Sequence, residues 1–410
     1  MKAKIYPFEE HKIAPQHIDS HAYYIIKKLK SKGFEAYLVG GGVRDLLLKQ
    51  VPKDFDISTS AKPEEIRKIF NNCILIGRRF RLAHIRFGRK IIEVATFRSG
   101  DAASEELITH DNEWGSPQED ALRRDFTING LFYDVEDSTI IDYVGGMEDA
   151  KKKTLNTIGE ATLRFRQDPV RMIRLLKFKA RFDFAIEEKT LKALKKSKNE
   201  IMKSSQARIL EELSRMLQSG ASAKFFKLLE ESGLLALLLP KISEHLKTST
   251  SILRLLHEAD AFILKHGKES LEKGTLFTLL VFTLIENRLK EMAQTEKVHL
   301  GIIMGKAKEI INQTFSPFFL LSRNLKAAMI SIIVNQFRFT PLHTKSYKKI
   351  HLPHDPFFSL AFQFFHLRSS LNKEFIPIYT QWHEAYVNYQ KKHPHLEDRT
   401  NRRPRRRRKG

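Results

Sequence analysis

The sequence predicts an α+β chain: a small mixed-sheet head, an all-helical body behind it and a disordered basic tail. Three observations carry this. Short alternating runs, punctuated by Gly, Pro, Asn and Asp, fill residues 35–144 and read as strands. From about residue 147 the alternation stops, and apolar residues recur at helical spacing to about residue 390. Seven of the eight residues from Arg402 to Lys409 are basic, so this end repels itself until it meets a polyanion. Strands first and helices after make an α+β order rather than alternating βαβ units, and no fixed-period repeat suggests a solenoid. The expected division is a head over 1–146, a helical neck over 147–220, a helical body over 221–392 and the tail over 393–410.

Residues 1–20 read as a loosely ordered lead-in. Ser20 can cap a helix running to Lys32, with Ala22, Ile25, Ile26 and Leu29 on one face and Gly33 as its stop. Glu35–Val39 alternates and runs into Gly40-Gly41-Gly42, a strand entering a tight turn, and Val43-Arg44-Asp45 starts a helix. Pro63 suits the first position of the next helix, with Glu64 and Glu65 in its first turn. Strands follow at Cys73–Gly77, Arg81–Phe87 and Lys90–Phe97, then a mobile loop over 99–118. Thr127–Tyr133 and Thr139–Val144 read as further strands, and Gly145-Gly146 breaks into helix. The body helices are expected at Asp168–Phe182, Glu187–Lys196, Ser205–Leu217, Ala223–Glu231, Ile252–Lys265, Leu276–Met292, Met304–Ile311, Asn324–Phe337, Phe357–Ser370 and Ile378–Gln390, with a break at Pro377.

Lys and Arg number 71 against 48 acidic residues in 410, a formal charge of +23, which favours a polyanionic partner such as nucleic acid. The single cysteine, Cys73, excludes a disulfide framework and argues against a cysteine zinc site. It lies in an apolar strand and is expected to be a buried thiol in a reducing, cytoplasmic setting. The N-terminus lacks the apolar core of a signal peptide, and the longest apolar run, Leu276 to Ile285, is too short to span a bilayer.

Six features carry chemistry. The Gly40-Gly41-Gly42 turn lets main-chain N–H groups approach an anion, with Arg44 placed to pair with phosphate oxygens. It is not a Walker A loop, since no Gly-Lys-Ser/Thr follows. Asp54 and Asp56, two apart, project from one face if they share a strand. Beside a phosphate-binding turn they can hold two divalent ions, and magnesium suits such a carboxylate and phosphate donor set. Glu93 is the lone acid in the apolar strand Ile91–Phe97. It is either a third carboxylate or half of an ion pair with a nearby arginine. Arg123 and Arg124 before Asp125 can bind a triphosphate, with Asp125 orienting them or a metal. Asp168, Arg171 and Arg174 follow at three-residue spacing on a helix begun by Pro169, offering an acceptor and donors enough to read a base edge. The stretch Gly77–Arg86, with four arginines and His84, is either a charge-protected edge strand or a nucleic-acid or triphosphate contact.

In this order, Gly40-Gly-Gly-Val-Arg-Asp45, Lys53-Asp-Phe-Asp56, Glu93-Val-Ala-Thr-Phe-Arg98, Arg123-Arg-Asp-Phe-Thr-Ile-Asn129, Asp142-Tyr-Val-Gly-Gly146 and Asp168-Pro-Val-Arg171 resemble successive motifs of the class II (bacterial-type) tRNA nucleotidyltransferase and poly(A) polymerase family. The resemblance implies a nucleotidyltransferase catalytic head, a base-selecting neck and an RNA-binding body. Asp54 and Asp56 would hold two Mg²⁺ ions (or Mn²⁺), Gly40, Gly41 and Arg44 would contact the triphosphate, and Arg123, Arg124 and Asp125 would complete the head site. Asp168 and Arg171 would select the base, with Arg174 nearby. Family usage favours Asp125 as the third carboxylate, whereas strand geometry nominates Glu93. Gly77–His84 and the arginine-rich tail are similar to the poly(A) polymerase branch rather than the CCA-adding one. ATP would be the substrate and RNA 3′ ends the acceptor, held partly by Arg402, Arg403, Arg405, Arg406, Arg407 and Arg408; a nuclear-type address is the other reading of that run. No membrane, RNA-decay proteins as partners and a monomeric state complete the expectation. Two departures stand out: Gln167 occupies a place where the family has Glu, and Asn156 one where it often has Arg.

Overall fold

The computed structural model describes residues 3–77, 82–99, 113–343, 350 and 352–392. The expectations for Arg78 to Arg81, for residues 100–112 of the mobile loop and for the tail, including Arg402 to Arg408, lie outside the described residues. The chain divides into two units, Met1–Ser204 and Ser205–Gly410.

The first unit is built on one eight-stranded mixed sheet. Its strands are β1 (Lys4–Tyr6), β2 (Ala36–Val39), β3 (Asp56–Thr59), β4 (Cys73–Ile76), β5 (Leu82–Phe87), β6 (Lys90–Thr96), β7 (Leu131–Asp134) and β8 (Thr139–Asp142). They lie in the order β1-β8-β7-β2-β3-β6-β5-β4, with β3 and β6 parallel and the other pairs antiparallel. The helices of this unit are α1 (Phe8–His11), α2 (Ser20–Lys30), α3 (Gly41–Leu47), α4 (Pro63–Ile69), α5 (Pro117–Leu122), α6 (Gly146–Lys151), α7 (Ala161–Gln167), α8 (Val170–Phe182) and α9 (Glu188–Ser197). A two-stranded parallel pair, β9 (Thr154–Leu155) with β10 (Ala185–Ile186), lies beyond the head.

Register decides which side chains meet. Ile140, Tyr133, Leu38, Ile57, Val94, Ala83 and Leu75 are successive cross-strand partners, so they share one face. That face packs on Ile25, Ile26 and Leu29 of α2 and Ile66 of α4, all fully buried. Each such aliphatic contributes about 1.5–3 kcal/mol by leaving water. Residues one step along the strands face the other way, and there the functional side chains collect.

Several local expectations shift for physical reasons. Asp19, not Ser20, caps α2: its carboxylate accepts from His21 N at 2.9 Å and Ala22 N at 3.2 Å. The lead-in is ordered, since Lys4–Tyr6 pairs with β8 as an edge strand. Thr127–Asn129 forms a 3₁₀ turn rather than the start of a strand. Asp142 explains the turn after β8: its two oxygens accept the N–H groups of Val144, Gly145, Gly146 and Met147 at 2.8–3.1 Å. A Cβ on Gly146 would lie 2.1 Å from Thr127 O, so glycine is required there.

The second unit is helical from Gln206–Leu217 through Ile376–Lys392. Leu276–Met292 is two helices, Lys273–Leu279 and Phe282–Met292, because a run that is apolar all round gives no period from which to place the break. Pro377 lies in the first turn of the last helix, and Lys373–Phe375 before it is a 3₁₀ turn. Arg368, 5% exposed, meets Glu286 at 3.1 Å and Gln336 Oε1 at 3.2 Å, its guanidinium 4.6 Å from the Phe282 ring centroid. Among the described residues no helix is long and apolar enough to cross a membrane.

Candidate active site

One row of cross-strand partners crosses all eight strands: Ile5, Ile141, Phe132, Val39, Asp56, Glu93, His84 and Ile74. Directly opposed residues point to the same side. Asp56 and Glu93 therefore stand together on neighbouring strands about 4.8 Å apart. Asp54 precedes β3 and is exposed. Asp56 is half-buried, and its carboxyl is pushed up to about 6 by burial and then by the Glu93 and Asp54 charges, against the pull of Arg124. Glu93 is exposed rather than buried, as the apolar strand around it had suggested, because β6 alternates a core face with an open one. Among the described residues it meets His84, whose Nε2 lies 3.5 Å from Glu93 Oε1.

β2 leads into Gly40 at φ 67°, ψ −129°, which only glycine adopts at little cost. A Cβ there would lie 3.0 Å from Nη1 of Arg124, and one on Gly42 3.4 Å from Asp54 O. The glycines thus let an arginine and the carboxylate-bearing segment close onto the turn. Arg124 is anchored by Asp120 at 2.8 Å, approaches Ser58 Oγ at 3.3 Å and lies over the Phe132 ring at 5.3 Å. Asp120, at the end of α5, is wholly buried and also holds Arg123 at 2.7 Å. Burial raises its carboxyl, but Arg124 and Arg123 outweigh that and keep it below the usual carboxylate range.

Arg44 is turned inward. It donates to Asp45 Oδ1 at 2.9 and 2.6 Å and to Asn129 Oδ1 at 2.7 Å, and it stacks 4.9 Å from both Phe178 and Phe182. Three guanidinium bonds to protein are thereby in place, and the side chain joins α3 to α8. Asp125 is buried, accepts from Phe126 N and Asn129 Nδ2 at 2.9 Å each, and pairs with Arg174 at 2.8 Å. Burial opposes its ionisation, yet Arg174 leads the contacts that hold the carboxyl low. The two nominees for a third carboxylate thus part company: Glu93 stands beside Asp56, while Asp125 belongs to the Arg174–Asn129 cluster.

Asp168 ends α7 and Arg171 lies in the first turn of α8, so they do not share one continuous helix face. Arg171 is buried and donates to the carbonyl oxygens of Arg164 and Arg123 at 3.3 and 3.1 Å. Arg164, on α7, donates to the carbonyls of Arg123 and Arg124 at 2.6 and 2.7 Å and to Gln167 Oε1 at 3.0 Å. Burial and the nearby Arg171 charge bring its pKa down to about 10. Gln167, where the family has Glu, therefore receives a buried arginine with a neutral oxygen.

Asp120, Asn129 and Arg164 were not singled out from sequence, and His84 was read only as part of the Gly77–Arg86 stretch. Asp120 had a readable signal, standing three and four residues before Arg123 and Arg124 on a helix. The others act across long sequence separations that no local spacing reveals.

Among the described residues no group of three or more His, Cys, Asp or Glu side chains forms a ready-made metal cage. The hard oxygens of Asp54 and Asp56, with Glu93 alongside, still fit magnesium, which usually takes one or two carboxylates and completes its shell with substrate phosphates and water.

A glycine turn, Asp56 and Glu93 paired on one face of a mixed sheet with Asp54 just before it, and a clamped arginine pair have the make-up of a nucleotidyltransferase head. Residues 36–156 match the Poly A polymerase head domain, and residues 183–246 the "Probable RNA and SrmB- binding site of polymerase A". Poly(A) polymerase I of Salmonella typhi is 44% identical over 252 residues, 59% of this chain and 54% of that protein. The CCA-adding enzyme of Streptococcus uberis is 38% identical over 196 residues, 48% of each chain. The solved Bacillus stearothermophilus CCA-adding enzyme in complex with CTP superposes over 93% of this chain and 82% of its own, with a TM-score of 0.63 at 25% identity. The head and the segment behind it are thus similar in sequence to poly(A) polymerases and CCA-adding enzymes, and the fold is similar to that of the solved CCA-adding enzyme. The chain's matched portion spans about half the length of these curated relatives.

Proposed function

We propose that this chain adds AMP from ATP to RNA 3′ ends without a template, as a magnesium-dependent polynucleotide adenylyltransferase. The observation that carries this is the Asp56–Glu93 pair, with Asp54 beside it, next to an arginine closed onto a glycine turn. The RNA 3′ oxygen forms a bond to the α-phosphorus of ATP as the bond to the bridging oxygen breaks and pyrophosphate leaves; the hydroxyl proton passes to a carboxylate or water. Asp54 and Asp56 would hold magnesium, which would supply charge neutralisation to the reacting phosphate. Arg124 and Arg123, held by Asp120, offset charge on the triphosphate, and the Gly40-Gly41 turn leaves room for it. Arg44 acts by joining α3 to Asn129 and α8. Asp168, Arg171 and Arg174 support the base, and Asp125 fixes Arg174 rather than binding metal.

In this reading 1–146 is the catalytic head, 147–220 the base-selecting neck, 221–392 the RNA-binding body and 393–410 a basic tail. Similarity to poly(A) polymerase I favours ATP alone; similarity to CCA-adding enzymes favours CTP as well. Incubation with each NTP and either tRNA or an oligo(A) primer decides between them. Efficient CTP incorporation that halts after a fixed number of residues rejects polyadenylation. Activity surviving Asp54→Ala rejects the site itself.

A further inference from the structure

We infer that the open face of β4, β5 and β6 seats the 3′-terminal nucleotides of the RNA acceptor. The inference rests on the proposed transfer to RNA and names where that RNA lies.

The row that contains Asp56 and Glu93 continues through His84 to Ile74. The next positions on the same side are Ile91 beside Arg86, and Leu82 beside Ile76. Burial follows this alternation strand by strand. Three isoleucines on that face are open to solvent: Ile74 at 43%, Ile76 at 42% and Ile91 at 44%. A sheet face meant only for water alternates to polar side chains instead, and apolar patches that collect on one face mark interaction sites. Sheet faces that hold single-stranded RNA stack its bases on aromatic, His or Arg side chains, and His84 and Arg86 stand on this face among the isoleucines.

Direction and charge select this occupant. In an in-line displacement the attacking oxygen and the leaving group stand on opposite sides of the phosphorus. The glycine turn and Arg124 lie on the β2 side of Asp56, close to Ser58 and Phe132. The acceptor therefore comes from the β6 side, where the isoleucines begin. Ile74 is three strands from Asp56, about 14 Å at the usual strand spacing. Glu93, at the reacting end, is the one acid in β4, β5 and β6, while Arg86 is exposed among the isoleucines to meet a phosphate. Strand addition by a protein at the β4 edge would not need the patch to run inward to the carboxylates, so RNA is the better fit.

The test uses the full chain and an oligo(A) RNA ending in 4-thiouridine, photo-crosslinked without ATP and mapped by mass spectrometry. Adducts within 73–76, 82–87 or 90–96 support the inference; adducts confined to other segments overturn it. The double variant Ile74→Ser with Ile91→Ser, at exposed positions, should raise the KM for RNA about tenfold, the equivalent of one lost base contact. The KM for ATP and the melting temperature should stay unchanged. An RNA KM within about twofold of the parent overturns the inference, and does so also if the variant turns a dimer into a monomer on gel filtration, because the face then pairs copies of the chain. If the parent transfers no nucleotide but crosslinks at β4–β6, the reaction fails while the seat stands.

Discussion

Replacing Asp56 by Asn should make the chain more stable and abolish nucleotide addition. The carboxyl is pushed from its ordinary 3.8 up to about 6 by burial and by Glu93. A folded-state value above the unfolded one means that the native state prefers the protonated form, so stability falls as pH rises through this window. The penalty is absent below about pH 4 and fully in force above about pH 6, and at ~1.4 kcal/mol per unit it amounts to about 3 kcal/mol. Asp56 is only half-buried, so screening trims the expected gain to about 1–3 kcal/mol. Asparagine keeps the shape and removes the charge. Urea denaturation with EDTA present, at pH 7.5 and pH 4, measures this. The variant should exceed the parent at pH 7.5, and the gap should close at pH 4. Equal or lower stability at pH 7.5, or a gap that persists in acid, would refute the assignment of Asp56 to a strained carboxylate cluster.

Asp120→Ala should cost about 3–5 kcal/mol, because it removes the one buried carboxylate that Arg123 and Arg124 share; in the folded fraction the KM for ATP should rise at least about tenfold, read by initial rates. Gly40→Ala should destabilise by about 1–3 kcal/mol from its positive φ and should displace Arg124, lowering kcat/KM for ATP. Arg368→Met, in the second unit, should lower urea stability by about 1–3 kcal/mol by removing the buried partner of Glu286, which keeps only Lys290, with ATP affinity unchanged. Deleting residues 399–410 should weaken RNA binding and flatten its salt dependence without altering ATP affinity; an unchanged salt slope would show that these arginines do not touch RNA.

The head strands were legible because their alternation is strict: Ala36–Val39 and Lys90–Thr96 differ from expectation by a residue at most at either end. Helices with a clear polar face, such as Gln206–Leu217, were equally plain. Lys4–Tyr6 was not, since a three-residue edge strand carries too little pattern and is fixed by its partner β8. The D-x-D pair and the arginine pair could be picked out as a candidate site because their chemistry is local. What could not be read was how arginines are used. Arg44 and Arg171 look like phosphate or base ligands in sequence, yet the structure turns each toward protein oxygens. Composition gives the charge of a guanidinium, and only tertiary packing says which oxygen it meets.

The parallel pairing of β3 with β6 has a consequence for how this head tolerates lengthening. Asp56 and Glu93 meet by register alone, while everything between β3 and β6 loops away through α4, β4 and β5. Residues added to those connections leave the two acids side by side. A single residue inserted after Ile57 would instead swap inside for outside along the rest of β3, sending Ser58 into the oily layer. Indels should therefore be found in the turns of this half-sheet and never within its four-residue strand.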